Sequence, residues 1–142
     1  MPQLNAYLNF DGNCAEAMRF YERTLGGKLD LMTFGESPVC DQMPPGSGDR
    51  VLHARLALDG GVLMASDSMP GQPYSGIKGC GLALTYPGVD DARRAFDALA
   101  EGGKVTMPME KTFWAESFGM VVDRYGATWL INGGMTGEPQ PA

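Results

Sequence analysis

The chain has 142 residues, with 11 Lys and Arg against 17 Asp and Glu and a formal net charge of −6. One domain is the default at this length, and about 70% of the unfolded surface can be buried in a core. Scattered cations argue against nucleic acid or an anionic membrane surface as a partner, and no apolar run approaches the ~20 residues of a membrane span.

Gln3–Phe10 alternates, with Leu4, Ala6, Leu8 and Phe10 on one side and Asn5, Tyr7 and Asn9 on the other. Period two marks a strand with one packed face. Met1–Phe10 lacks a basic segment followed by an apolar stretch, so no export signal is expected. Asp11-Gly12-Asn13 breaks the strand, and Asn13 is placed as the N-cap of a helix over Cys14–Leu25. Ala17, Phe20, Tyr21 and Leu25 recur at helical spacing until Gly26-Gly27 stops the helix. Lys28–Gly35 is the second expected strand, and the Pro- and Gly-rich stretch Glu36–Asp49 is a loop. Val51–Leu58 and Val62–Ser66 read as a hairpin turning at Asp59-Gly60-Gly61, and Asp67–Lys78 as a connector.

The order then repeats over residues 81–113. A helix over Val89–Glu101 runs into Gly102-Gly103-Lys104, as the first runs into Gly26-Gly27-Lys28, and Phe20 and Phe96 stand at the same distance before their glycine pairs. A hairpin over Gly119–Asn132 turns at Arg124-Tyr125-Gly126, and the polar tail from Gly133 is expected to be mobile. A β-α-β-β-β unit has too little core to stand alone, so two copies are expected to pair. The expectation is a single α+β domain, with module 1 at about 3–67, module 2 at about 79–133 and a tail at 134–142. Its curved mixed sheet carries both helices on the outer face and a pocket inside. The face turned from the helices holds Asn5, Tyr7, Asn9, His53, Arg55, Met64, Ser66, Gly81, Thr85, Leu130 and Asn132. That mixture of aromatic, apolar and polar groups suits a pocket, the alternative being a plain solvated surface.

The residues that carry a family resemblance are Tyr7-Leu8-Asn9-Phe10-Asp11-Gly12-Asn13-Cys14, Glu16-Ala17, Phe20-Tyr21, Leu25-Gly26-Gly27 and Ser66-Asp67 in the first half. In the second they are Thr112-Phe113-Trp114-Ala115, Phe118-Gly119, Asp123-Arg124-Tyr125-Gly126-Ala127-Thr128-Trp129 and Ile131-Asn132. The chain resembles the vicinal oxygen chelate superfamily (glyoxalase I, bleomycin-resistance proteins, extradiol dioxygenases), and within it the PhnB-like, or 3-demethylubiquinone methyltransferase-like, branch. The resemblance implies paired βαβββ modules, with metal ligands of His or Gln/Glu type on the first and last strands of each. Those positions are Asn5, Met64, Gly81 and Leu130 here. Glycine and leucine offer no ligand, methionine suits soft metals, and asparagine is a weak donor. A divalent metal normally needs three or four His, Glu, Asp or Cys ligands, whereas the chain has one histidine. The expectation is therefore no metal and no cofactor, with neither glyoxalase I activity nor extradiol ring cleavage. The methyltransferase label finds no glycine-rich nucleotide-binding turn to support it.

Remaining chemistry centres on His53 and Arg55, which share a strand face and can bind an anion or poise a proton transfer. The bland reading is a pair of solvated strand residues, or Arg55 paired with an acid such as Glu116. Phe113, Trp114, Glu116 and Phe118 can wall a ligand pocket, with Glu116 as a candidate acid or base. The bland counterpart puts Phe113 and Phe118 in the core and leaves Trp114 as a cap; Trp129 is expected in the core. Cys14, at a helix start, is read as a buried small residue before a nucleophile. Cys40 is expected to be exposed and incidental. With Cys14, Cys40 and Cys80 odd in number, reduced thiols in the cytoplasm are expected. Met107 and Met109 suit a soft pocket or interface. A two-fold homodimer is expected to cover the sheet edges.

Two functions follow. The first is a metal-independent protein that binds a small organic molecule, partly aromatic or anionic, through Tyr7, Asn9, His53, Arg55, Met64, Trp114 and Glu116. The second is a metal-independent enzyme of isomerase, lyase or transferase type, using His53 with Glu116 or Arg55.

Overall fold

A computed structural model describes residues 2–37, 48–69 and 71–136. The chain divides into two compact units, Met1–Lys78 and Gly79–Ala142. Each is a βαβββ module with its own four-stranded mixed sheet, so the single curved sheet expected of the pair is resolved into two. The α+β class is as the sequence indicated. Among the described residues no helix is long and apolar enough to cross a membrane.

The first unit contains β1 (Ala6–Phe10), α1 (Cys14–Leu25), β2 (Lys28–Thr33), β3 (Val51–Leu58) and β4 (Gly61–Asp67). Its strand order is β1-β4-β3-β2, with β1 parallel to β4 and the other pairs antiparallel. Leu8, Phe10, Ala54, Leu56, Leu63 and Ala65 are buried on the face that takes Ala17, Met18, Phe20 and Tyr21 of α1. Leu4 is a correction: it is 99% exposed, because pairing with β4 begins only at Ala6 opposite Leu63. The second strand stops at Thr33, two residues short of Gly35.

Two local devices shape this unit. Between Met32 and Thr33 the β2–β3 register slips, so that Met32 faces His53 and Thr33 faces Val51. Leu52 is the extra residue of this bulge, and such bulges re-aim side chains. Val51 is thereby turned into the core while Leu52 stays half-buried. The second device is the glycine pair after α1. Gly26 ends the helix at φ +79°, its N–H donating to Glu22 O at 2.9 Å. Gly27 lies so close to β3 that a Cβ there would sit 2.3 Å from Ala57 O. Gly103 repeats this closeness in the second module, 2.3 Å from Val122 O.

The second unit contains β5 (Leu82–Tyr86), α2 (Val89–Ala100), β6 (Lys104–Glu110), β7 (Ala115–Val122) and β8 (Thr128–Met135), in the order β5-β8-β7-β6. Ala92, Ala95, Phe96 and Leu99 of α2 are buried with Val121, Trp129 and Ile131. The closing hairpin is longer than expected, Ala115–Met135 instead of Gly119–Asn132. Gly133–Met135 are strand because β7 begins early enough to pair Ala115 with Met135. The rest of the expected tail from 137, and the loop residues 38–47 with Cys40, lie outside the described residues.

Candidate functional site

The free face of the first sheet gathers five of the expected ligand-binding residues. Tyr7, Met64, Arg55 and Asp30 stand in direct register across β1, β4, β3 and β2. One step along, Asn9 faces Ser66, and His53 faces Met32. The Tyr7 and His53 rings are 6.0 Å apart at 38°. His53 and Arg55 do share a face, as their spacing required, and both are exposed.

Beside them lies a cavity of about 540 Å³, open to solvent. Asn9, Ser66, Leu52 and Phe34 line the sheet side; Ser68, Met69 and the run Gln72–Gly76 line the other. The connector is therefore part of the site. Its Tyr74 hydroxyl donates to Asn9 O at 2.8 Å, and Ser68 N–H donates to Phe10 O at 2.7 Å. Arg50 donates to Ser68 O at 2.6 Å and to Asp11 Oδ1 at 3.0 Å, and the Ser68 hydroxyl donates to the same Asp11 oxygen. Partial burial, with the Asp11 and Asp67 carboxylates nearby, pushes the Tyr74 phenol above its ordinary value.

Asp67 organises this end of the unit. Its buried carboxylate accepts the N–H groups of Gly12 (2.8 Å) and Cys14 (3.0 Å) on Oδ1, and that of Val51 (2.9 Å) on Oδ2. This corrects the N-cap assignment: Asn13 makes no side-chain cap bond, its Oδ1 accepting the Asp11 N–H instead. A carboxylate at a helix N-terminus meets both the free donors and the macrodipole. Cys14 is fully buried, and desolvation, reinforced by Asp67, pushes its thiol up to about 12. The reading of Cys14 as a buried small residue holds; the nucleophile does not.

In the second unit Trp114 Nε1 donates to the buried Asn132 Oδ1 at 2.9 Å, and its ring packs edge-on to Phe113 (4.9 Å) and Phe118 (5.2 Å). Phe118 is buried and Phe113 is 61% exposed. Glu116 instead borders a surface cleft with Gly88, Val89, Asp90, Asp91 and Arg94, at the start of α2. Arg94 is paired with Asp91 there. Trp129 is core, as expected, its Nε1 donating to Asp123 Oδ2 at 2.8 Å. Across the free face of this sheet run Ala83, Leu130, Met120 and Met107 in register.

The inherited metal positions do not fit a divalent metal. Met64 stands between Tyr7 and Arg55. A Cβ at Gly81 would sit 2.6 Å from Leu130 Cδ1, so that corner is filled by hydrocarbon. Among the described residues no three His, Cys, Asp or Glu side chains are grouped to hold a metal.

Sequence reasoning missed Phe34, Leu52 and Tyr74. Tyr74 had a signal, a lone aromatic within a Pro-, Gly- and Ser-rich stretch. Leu52 had none, because its orientation depends on the bulge.

Two βαβββ modules, one with a cavity against its sheet, define a glyoxalase-like scaffold whose expected metal positions carry Asn5, Met64, Gly81 and Leu130. Residues 3–131 match the Glyoxalase/Bleomycin resistance protein/Dioxygenase superfamily, and the chain belongs to it. It is 39% identical over 140 residues to YjdN of Escherichia coli K12, covering 91% of this chain and 93% of YjdN. The crystal structure of PA1353 from Pseudomonas aeruginosa is 48% identical with a TM-score of 0.85, covering 93% of this chain and 97% of that one. A PhnB protein of Bacillus cereus, carrying a 3-demethylubiquinone-9 3-methyltransferase label, is 25% identical with a TM-score of 0.74, over 92% and 98% of the two chains.

Proposed function

We propose that this protein is a metal-independent small-molecule-binding member of the superfamily, with its ligand held on the free face of the first sheet against Ser68, Met69 and the run Gln72–Gly76. The cavity of about 540 Å³ carries this reading, since its size suits a small organic molecule and its lining mixes apolar and hydrogen-bonding groups. Tyr7, His53, Arg55 and Met64 extend the same face beyond the cavity. Metal independence is supported by Met64, Gly81 and Leu130 at the inherited ligand positions. The working state is a cytoplasmic homodimer. Free thiols at Cys14 and Cys80 suit a reducing compartment, and a second subunit would cover exposed strand edges such as β6.

Native mass spectrometry of tag-free protein tests this reading. The expected result is a dimer with no metal and a co-purified organic mass. A stoichiometric divalent metal would overturn metal independence and return glyoxalase- or dioxygenase-type chemistry to consideration.

A further inference from the structure

We infer that the ligand of this cavity is an uncharged molecule, with a flat apolar body and an amide, hydroxyl or carbonyl group, and neither an anion nor an amine. The inference rests on the binding reading above and follows from which polar groups at the cavity are already occupied.

Asp67 is 5% exposed and already accepts three backbone N–H donors. Asp11 and Arg50 are paired with each other, and each also holds Ser68. Gln72 Oε1 accepts the Met69 N–H, and the Tyr74 hydroxyl is committed to Asn9 O. An incoming carboxylate or phosphate would meet the fields of Asp11 and Asp67 with the adjacent cation already neutralised. An incoming amine would have to draw Arg50 from Asp11, or reach an Asp67 carboxylate that is 5% exposed and already held by three N–H groups, since a buried charge needs its own partner.

What remains is neutral. The Asn9 amide and the Ser66 hydroxyl face one another across the β1–β4 register and line the cavity. Neither makes a side-chain hydrogen bond among the described residues, so each offers both a donor and an acceptor. Phe34, Leu52 and Pro73 supply the apolar wall. Arg55 and His53 belong to the same sheet face but not to the cavity lining, so the cation nearest in sequence pattern is not the one at the ligand.

The test is a matched series on one ring, benzamide, benzoate and benzylamine, titrated at pH 7 into the full-length ¹⁵N-labelled chain. Benzamide is expected to shift the backbone amides of Asn9, Ser66 and Tyr74, with the two charged probes at least fivefold weaker at those residues. Asn9→Ala and Ser66→Ala should each weaken benzamide at least threefold without changing the rest of the spectrum. Equal or tighter binding of benzoate or benzylamine at the same amides would overturn the charge class and leave the site standing. If none of the three probes shifts these amides, the site reading itself falls, and this inference falls with it.

Discussion

Removing the Asp67 carboxylate is expected to destabilise the first unit more than any other single polar truncation near the cavity. Three backbone donors end on it, from the β1–α1 turn, the first residue of α1 and the first residue of β3. In Asp67→Ala the Gly12 N–H, partly exposed, turns to water. The Cys14 and Val51 N–H groups are buried and would be left without acceptors, at about 1–3 kcal/mol each. The sum is roughly 4 kcal/mol, and at ~2–4 °C per kcal/mol for a chain of this size the melting temperature should fall by about 10 °C. Asp67→Asn keeps one oxygen but aims an amide N–H₂ at the third donor, so it should lose about half as much. Thermal melts followed by circular dichroism, with urea titration for the free energy, measure both. If Asp67→Ala melts within about 3 °C of the parent, the donors have found other partners and the account of Asp67 as organiser is wrong.

Three further outcomes follow from the same geometry. Under native conditions at pH 8, iodoacetamide should label exposed Cys80 readily and Cys14 only on unfolding, because burial holds the Cys14 thiol up at about 12; peptide mass spectrometry reads the sites. Tyr74 is favoured in its protonated form in the folded state, so the folded chain retains the proton as pH rises past the phenol's ordinary value near ~10. Its stabilising contribution is complete below that pH and is lost as pH climbs through the raised folded value. Hydrogen exchange at residues 71–76 should accelerate there in the parent and show no such step in Tyr74→Phe. Gly133→Ala would put a methyl 2.7 Å from Ala92 Cβ and 3.1 Å from Val89 Cα, costing about 1–3 kcal/mol by urea unfolding. Gly60→Ala, with nothing within 4 Å, should stay within about 0.5 kcal/mol of the parent.

The elements were legible wherever periodicity was strong. Both helices begin as read, and α1 matches at both ends because Gly26 and Gly27 punctuate it. The repeated Gly-Gly-Lys has a physical cause, since Gly27 and Gly103 each touch the backbone of a neighbouring strand and admit no side chain. The alternation of β1 correctly set Tyr7 and Asn9 opposite Leu8 and Phe10. Alternation is blind to two things that made the site. It does not announce the bulge that turns Val51 inward and frees Leu52, and it does not show where a connector folds back. Nor does it fix the end of a strand, so Leu4 fits the packed pattern although pairing with β4 begins only at Ala6. The capping assignment failed for a similar reason. Asn13 has the right chemistry and position, but a residue 53 positions from Cys14 supplies the acceptor.

That distant acceptor also marks where the two modules part. Asp67 ends β4 opposite Phe10, and the corresponding place in β8, opposite Tyr86, is held by Gly133. In the first unit the carboxylate at this place binds the helix start and stands beside the chain as it leaves the strand through Ser68 and Met69. In the second, the absence of a side chain lets Gly88 and Val89 approach the strand directly, and the first turn of α2 carries its own acids, Asp90 and Asp91, against the macrodipole. β8 then continues as paired strand to Met135 instead of leaving the sheet. A cavity bordered by a returning connector therefore goes with the Asp67 solution and not with the Gly133 one. The exchange is asymmetric: Asp67→Gly removes an acceptor and weakens the first unit, whereas Gly133→Asp would press an unpaired carboxylate against Ala92 and Val89 and should leave the second unit unfolded. One repeat thus borders a cavity at this position, and the other closes it by contact alone.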